Sequence, residues 1–176
     1  RGIDPKKPHE AGTEQIRRAW TSCLLPNARD EDVLALLSRR RFVVVEGPPG
    51  TGKTELATRL LRSAYADCGR IIQFHPGTTY ESFIGGLSPR DGGTLGFTFA
   101  PTPGHLMEAA AEASRDPERR PHLLIIDEIN RADLAKVLGE AIYLFEPDRS
   151  EREITLAYDF GEYGRKLLLP PNLHVL

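Results

Sequence analysis

Residues 42–54 read FVVVEGPPGTGKT, an apolar run joined directly to a glycine-rich loop. The apolar part, Phe42–Glu46, is rich in β-branched residues and predicts a strand buried on both faces of a parallel sheet. The loop, Gly47–Thr54, satisfies the phosphate-binding pattern G-x-x-x-x-G-K-[ST] in full. The segment that follows it, TELATRLLRSAYA, has the apolar periodicity of a helix. A strand, a loop and a helix in this order are the context that the pattern requires.

The residue types of the loop fit the chemistry of a bound triphosphate. Glycines let the backbone wrap a phosphate with its N–H groups pointing inward, and the following helix adds its positive dipole end. Lys53 is expected to reach the β- and γ-phosphates, and Thr54 to offer a hydroxyl to Mg²⁺. The predicted nucleotide-binding residues are Gly47, Pro48, Pro49, Gly50, Thr51, Gly52, Lys53, Thr54 and Glu55.

A pair of carboxylates follows a second apolar run, LLIIDE at residues 123–128. By itself such a pair is usually a strand end that meets solvent. In an open parallel sheet, however, ligands bind at the carboxyl ends of the strands, so Asp127 and the loop should emerge at one edge. Asp127 is then predicted to hold Mg²⁺, through water, and Glu128 to orient and deprotonate the attacking water. A glutamate beside the metal aspartate favours hydrolysis over transfer to another substrate.

The remaining segments alternate between strands and helices, which predicts a parallel α/β sheet covered by helices. Two segments dense in turn formers predict small β-hairpin insertions. Residues 1–12 are predicted to be a tail or linker, and 13–176 a single nucleotide-binding core. The predicted elements are helices at Thr13–Leu24, 30–37 with Asp30 as N-cap, 54–66, Tyr80–Ile84, His105–Ser114 and Ala132–Phe145, with the apolar face Leu134, Val137, Leu138, Ala141, Ile142 and Phe145; strands at Arg70–His75, Leu123–Asp127 and 172–176; and hairpins at 94–100 and around Gly161.

Composition excludes several classes of function. The formal net charge of −2 argues against a surface that coats nucleic acid, and no apolar stretch is long enough to cross a membrane, so a soluble, cytoplasmic protein is expected. The triplet Arg39–Arg41 is interpreted as a solvated helix end. Cys23 and Cys68 are expected to be buried thiols within helices, and their spacing fits no metal site.

Three segments of the chain resemble a known family. EGPPGTGKTELATRL, QFHPGTTYESFIGGLSP and IIDEINRADLAKVLGEAIYLFEPDR are similar, in order and spacing, to the AAA+ ATPases with an insertion in the second helix. That group includes dynein-like modules, MoxR-type chaperones and McrB-type motor subunits of modification-dependent restriction systems, and the last of these is the best match. The first segment is shared by many AAA+ proteins, whereas the second and third are more particular.

The resemblance implies an AAA+ fold, a ring oligomer that is a hexamer in the full-length protein, and hydrolysis of ATP or GTP. It also implies an McrC-like nuclease partner, with DNA engaged only through regions outside this chain. Arg131 lies in a segment that sits at subunit interfaces in similar proteins, so it is a candidate for acting on a neighbour's nucleotide. The alternative is a surface arginine paired with an acid such as Asp133. The hairpin near Leu95–Ala100 corresponds to the helix-two insertion, which faces the ring pore or a partner in relatives.

In similar proteins the strand at 172–176 is followed by a sensor segment, arginine fingers and a helical lid, which are not among these 176 residues. We therefore expect weak nucleotide binding and little hydrolysis by these 176 residues. The choice between ATP and GTP cannot be read: Asn130–Asp133 superficially matches the guanine-reading N-K-x-D pattern but lies too close to the γ-phosphate machinery. His75 ends a strand on the ligand edge and could contact nucleotide or Glu128, although a packed, hydrogen-bonded histidine is the preferred interpretation.

Two other functions remain open from the sequence. A MoxR-like chaperone ATPase that remodels a client protein would share all the motifs, and only the flanking domains would separate it from an McrB-like motor. A nucleotide-sensing module with little turnover is disfavoured, because it would not need Lys53, Thr54, Asp127 and Glu128 together.

Overall fold

A computed structural model of the chain describes residues 29–91, 96–146 and 152–176. The predicted tail, the helix at Thr13–Leu24 and Cys23 lie outside these residues. The helices are α1 (Asp30–Arg40), α2 (Lys53–Ala64), α3 (Tyr80–Phe83), α4 (His105–Arg115) and α5 (Leu134–Leu138), with 3₁₀ helices at Ile129–Arg131, Gly139–Phe145 and Gly161–Tyr163. The strands are β1 (Gly69–Gln73), β2 (Gly85–Asp91), β3 (Phe97–Pro103), β4 (His122–Asp127), β5 (Glu153–Thr155), β6 (Lys166–Leu168) and β7 (Leu173–Val175).

The central sheet is parallel, with the strand order β1-β4-β7. In register, Gln73 of β1 lies opposite Asp127, and His122 lies opposite Leu173 of β7. β4 has a neighbour on each side and helices on both faces, which is why its sequence is an unbroken apolar run. The predicted parallel sheet flanked by helices is therefore confirmed.

Side chains of β4 alternate between two hydrophobic cores. Leu124 packs into the larger core with α4, α5 and the hairpin residues, whereas Leu123 and Ile125 pack into the smaller core beneath α1 and α2. Two helical layers thus cover the sheet, and the helix after the phosphate loop lies directly against the strand that carries the acidic pair. Among the described residues, no helix is both long enough and apolar enough to span a membrane.

The prediction that Phe42–Glu46 forms a strand buried on both faces is wrong. The segment joins the sheet through one bridge, Phe42 to Val175, and Val44 is 67% exposed. The backbone N–H of Val43 donates to the Val175 carbonyl, and the Val175 N–H donates to the Arg41 carbonyl. Phe42 packs against the larger core and Val43 against the smaller one, but both are only partly buried.

The second predicted helix is longer than expected and begins differently. Arg29 is the N-cap without a side-chain hydrogen bond, and Asp30 is the first helical residue, where its charge complements the helix dipole and pairs with Arg59. At the other end, Arg39 and Arg40 are exposed in the last turn, as predicted. Arg41 is not a solvated side chain, because its guanidinium donates to the carbonyls of Leu169 and Pro170.

Both predicted hairpins are present. β2 pairs antiparallel with β3 between α3 and α4, and β5 pairs with β6 around the 3₁₀ turn at Gly161–Tyr163. The first hairpin is larger than its predicted span, because Gly85–Asp91 forms its first strand; the predicted start near Leu95 lies outside the described residues. Its outer aromatic side chains, Phe97 and Phe99, are 81% and 69% exposed.

The helix predicted over Ala132–Phe145 is divided. Gly139 has a φ of 49°, which ends α5, and the remaining residues form a 3₁₀ helix. Because a 3₁₀ helix has three residues per turn, its inward face differs from that of an α-helix. Ala141 and Leu144 are buried, whereas Ile142, predicted to be on the apolar face, is 58% exposed. The prediction for Cys68 is also wrong, since this residue lies in the turn before β1 and is only partly buried.

Candidate active site

The fold brings Thr54 and Asp127 together although they lie 73 residues apart in sequence. The Thr54 hydroxyl is 3.1 Å and 3.2 Å from the two carboxylate oxygens of Asp127. Thr54 belongs to the first turn of α2, and Asp127 is the last residue of β4. The amino-terminal end of α2 and the carboxyl end of β4 therefore meet at one edge of the sheet, as the sequence predicts.

The loop Gly47–Gly52 takes the backbone conformation that its glycines allow. Gly50 and Gly52 have φ values of 76° and 83°, in the left-handed region where a side chain would be strained. Gly52 is also the N-cap of α2. Thr51 donates from its hydroxyl to the Pro48 carbonyl, which closes the loop on itself. The loop residues are exposed, so the free N–H groups at the start of α2 are open to an anion.

Lys53 holds the loop from inside. Its ammonium donates to the carbonyl oxygens of Gly47 (2.8 Å) and Pro48 (2.9 Å). The positive charge thus lies within the curve of the loop. This is where a phosphate oxygen would compete for the same ammonium protons.

Glu128 sits beside Asp127 in a constrained backbone conformation. Its φ of 54° is unusual for a residue other than glycine, and its N–H donates to Asp127 Oδ1 at 3.0 Å. Its side chain accepts from Arg131 Nε at 3.0 Å. Arg131 is thus a surface arginine paired with a nearby acid, as the alternative from the sequence describes, but the acid is Glu128. Asp133, the example given there, instead caps α5 and pairs with Lys136.

The other predicted residues lie around this centre without joining it. Glu55 is exposed in the first turn of α2, and Asn130 is exposed in the 3₁₀ helix after Glu128. His75 accepts the Gly77 N–H on its Nδ1 at 3.1 Å, but the ring is exposed, so the expectation of a packed histidine is wrong. Gln73, which is not among the residues predicted from sequence, lies opposite Asp127 in the sheet; its position at a strand end is the signal that could have found it.

The donor set around Thr54 and Asp127 fits a hard divalent cation. A hydroxyl and a carboxylate offer oxygen ligands only, and Mg²⁺ prefers one or two such ligands together with water and substrate phosphates. The Asp127 side chain is partly buried and accepts from the Thr54 hydroxyl and the Glu128 N–H. Thr54 and Asp127 thus suit Mg²⁺ beside a bound triphosphate.

Residues 42–162 match the AAA domain family, dynein-related subfamily, over more than half of the chain. The chain belongs to this family. The match begins at the run before the phosphate loop and includes the acidic pair and the first hairpin, so the AAA+ resemblance of the sequence is confirmed.

Two curated relatives narrow the comparison to restriction systems. The chain is 31% identical over 169 residues to the "Type IV methyl-directed restriction enzyme EcoKMcrB subunit" of Escherichia coli (strain K12). This alignment covers 92% of this chain and 35% of that protein. The chain is 28% identical over 160 residues to the "Type II restriction enzyme BsuMI component YdiS" of Bacillus subtilis (strain 168), which covers 74% of this chain and 45% of that protein. The chain is an AAA+ ATPase domain related to McrB restriction subunits, and it spans less than half the length of either relative.

Proposed function

We propose that this chain is the nucleotide-hydrolysing module of a restriction motor subunit. The observation that supports it best is the contact between the Thr54 hydroxyl and the Asp127 carboxylate beneath the phosphate loop. In this proposal the backbone N–H groups of the loop and Lys53 bind the triphosphate of ATP or GTP, and Thr54 and Asp127 hold Mg²⁺. The cation would neutralise charge on the phosphate oxygens.

Glu128 is the proposed general base. It follows the metal-binding Asp127 directly, so its carboxylate lies near the expected γ-phosphate and can orient a water molecule and take its proton. In the chain by itself this carboxylate accepts a hydrogen bond from Arg131. Since this hydrogen bond occupies the carboxylate that would receive the proton of the water, we expect slow turnover by the isolated 176-residue chain.

Arg131 has a second proposed role in an assembled ring. The Arg131 side chain is 57% exposed and its pair with Glu128 is open to solvent, so rotation of the guanidinium toward a neighbouring subunit costs little. A guanidinium delivered to a neighbour's nucleotide would stabilise charge in the transition state. The same movement would free Glu128, so that assembly and activation would be coupled.

The proposed biological context follows the relatives. Both are named as components of restriction enzymes, and we propose a ring oligomer, a hexamer in the full-length protein, that drives an McrC-like nuclease subunit. DNA would be engaged through regions outside this chain, and the expected cytoplasmic location stays a prediction. The alternative is a MoxR-like chaperone ATPase acting on a client protein, which shares the same nucleotide site.

The test of hydrolysis compares three forms of the chain in a phosphate-release assay with Mg²⁺ and ATP or GTP. We expect slow turnover by the unmodified chain and at least a tenfold loss in Glu128→Gln, which keeps the shape of the side chain but removes the base. Arg131→Ala should retain or raise the basal rate. Equal rates in the unmodified chain and Glu128→Gln would contradict the role of Glu128.

The restriction context is tested with the full-length protein. Addition of a purified McrC-like nuclease subunit should raise the turnover rate, whereas a chaperone ATPase would respond to its client and not to the nuclease. No stimulation, together with retained nucleotide binding, would favour the chaperone alternative.

A further inference from the structure

A second group of ligand-type side chains lies away from the phosphate loop. The Sγ of Cys68, a carboxylate oxygen of Asp116 and a ring nitrogen of His122 all lie within 4.8 Å of one another. Asp116 is almost fully buried, with only 3% of its side chain exposed, and His122 is 12% exposed. His122 Nε2 is 3.1 Å from Asp116 Oδ2. Asp116 and His122 are near each other in the sequence, whereas Cys68 is far from both, so the fold creates the group.

The backbone fixes the positions of all three residues. Cys68 precedes β1, His122 begins β4, and the N–H of Leu123 donates to the Cys68 carbonyl at 3.0 Å. Asp116 is the C-cap of α4, and its Oδ1 accepts the N–H of Glu118. The group therefore lies at the amino-terminal ends of β1 and β4, at the opposite edge of the sheet from Asp127 and the nucleotide site.

A cation already occupies part of this group. The Arg120 guanidinium contacts Asp116 Oδ2 at 2.9 Å and lies 3.7 Å from the Glu118 carboxylate. The Arg120 guanidinium holds the pKa of Asp116 well below its usual range, and the Asp116 carboxylate raises the pKa of Arg120 in turn. The Arg120 side chain is 54% exposed, so it can leave without disturbing the core. Positive charge is thus favoured at this point, and the present occupant is replaceable.

We propose that Cys68, Asp116 and His122 bind Zn²⁺ at this edge of the sheet. A thiolate, an imidazole and a carboxylate are the ligand types that Zn²⁺ takes in proteins, at about 2.3, 2.0 and 2.1 Å. In a tetrahedral site the ligand atoms would be roughly 3.5 Å apart. The His122 and Asp116 atoms are already 3.1 Å apart, so the adjustment needed is an approach of the Cys68 Sγ, which lies within 4.8 Å of both, as Arg120 moves away. Glu118, which already reaches Arg120, or a water molecule would complete the coordination.

Binding of Zn²⁺ would tie together three elements of the fold, in addition to the pairs that Arg70 of β1 already makes with Glu108 and Glu112 of α4. The turn before β1, the end of α4 and the start of β4 would share one ligand set. Since the thiol must lose its proton to bind, affinity should rise with pH. Because the ligands join three elements at the edge of the sheet opposite the nucleotide site, the Zn²⁺ site would be structural and independent of nucleotide.

The experiment titrates the 176-residue chain, in a thiol-free reductant, with Zn²⁺ by calorimetry and with Co²⁺ by absorption spectroscopy. Co²⁺ is the spectroscopic probe because a cobalt–thiolate bond gives a charge-transfer band in the near ultraviolet. We expect one equivalent to bind with that band. Cys68→Ser, a substitution of nearly the same shape at a partly exposed position, should remove the band and weaken Zn²⁺ binding at least tenfold. Cys23→Ser should leave both unchanged.

Three further variants separate this group from the nucleotide site and from general charge effects. Asp127→Asn removes the acidic ligand of the nucleotide site, so Zn²⁺ binding that persists in this variant belongs to the Cys68 group. Arg120→Gln should strengthen Zn²⁺ binding because it removes the competing cation, whereas Arg119→Gln, the same charge change on the adjacent exposed arginine, should not. Equal affinity in the unmodified chain and Cys68→Ser, or a band that follows Cys23, would overturn the proposal, as would no binding by the folded chain.

Discussion

Replacement of Arg41 by alanine should destabilise the fold, because this side chain joins two parts of the chain that are distant in sequence. Arg41 is the third arginine of a triplet, yet its Nη2 donates to the carbonyl oxygens of Leu169 at 2.8 Å and Pro170 at 2.7 Å. Its Nε is 3.5 Å from the Leu173 carbonyl, and the guanidinium lies 4.9 Å from the ring centre of Phe42. The side chain therefore joins the end of α1 to the chain that enters β7.

The expected cost of Arg41→Ala follows from these contacts. Each hydrogen bond from a charged donor contributes about 1.5–3 kcal/mol. The variant removes both, and it takes from the Leu169 carbonyl the arginine donor, whereas the Pro170 carbonyl keeps the N–H of Leu173 as a donor. Burial of the guanidinium offsets part of this contribution, as its lowered pKa reflects. We expect a loss of about 2–4 kcal/mol in the free energy of unfolding.

Urea unfolding measures this loss directly. With a slope of about 2 kcal/mol per M, the midpoint should fall by about 1–2 M. Arg40→Ala is the matched control, since Arg40 is exposed on the same helix end and should change the free energy by less than about 0.5 kcal/mol. Arg41→Lys should lower the urea midpoint by an intermediate amount, because an ammonium cannot reproduce the forked set of N–H donors of a guanidinium. Equal midpoints for Arg41→Ala and Arg40→Ala would refute this reasoning.

Two further predictions concern other parts of the fold. Gly104→Ala would place a Cβ 2.4 Å from the backbone carbonyl carbon of Phe83, and it should destabilise the chain by about 1–3 kcal/mol in urea unfolding. Gly77→Ala is the control, because its Cβ would meet only an exposed side chain, and it should have little effect. A Gly104→Ala variant as stable as the unmodified chain would contradict this packing. Burial lowers the pKa of His174, whose ring nitrogen is 2.6 Å from the Tyr65 hydroxyl. The unfolded chain therefore binds more protons than the folded chain at this residue. The free energy of unfolding should be full above about pH 6.5 and should fall as the pH drops toward the folded pKa. The decrease between about pH 7.5 and 5.5 should be smaller in His174→Asn, and an unchanged decrease would mean that other groups cause it.

The chemistry-bearing centre can be predicted from sequence because its constraints are local. The loop needs glycine at positions with positive φ, and Asp127 ends an apolar strand, so topology alone places both at one edge of the sheet. The helix after the loop and both hairpins are likewise predictable from periodicity and turn residues. The contact between Thr54 and Asp127 then follows from the parallel order of the strands.

The features that sequence analysis missed depend on distant partners. Arg41 resembles its two neighbours until the carbonyls near residue 170 are placed beside it. Phe42–Glu46 has the composition of a central strand, but pairing needs neighbours on both edges. Ile142 points outward because Gly139 changes the helix type, and a single glycine in the sequence does not predict that change. The group around Cys68 cannot be found from sequence because its members follow no regular spacing.

The central claim is that the phosphate loop binds a nucleotide with Mg²⁺. Calorimetric titration of the chain with Mg²⁺ and slowly hydrolysed ATP and GTP analogues tests it most directly, with Lys53→Ala as the control. We expect binding of one of the two analogues that weakens at least tenfold in Lys53→Ala, because the ammonium within the loop is lost. A preference for guanine would support the McrB-like proposal, and a preference for adenine would favour an ATP-using relative. No binding of either analogue by the folded chain, or equal binding by Lys53→Ala, would contradict the central claim.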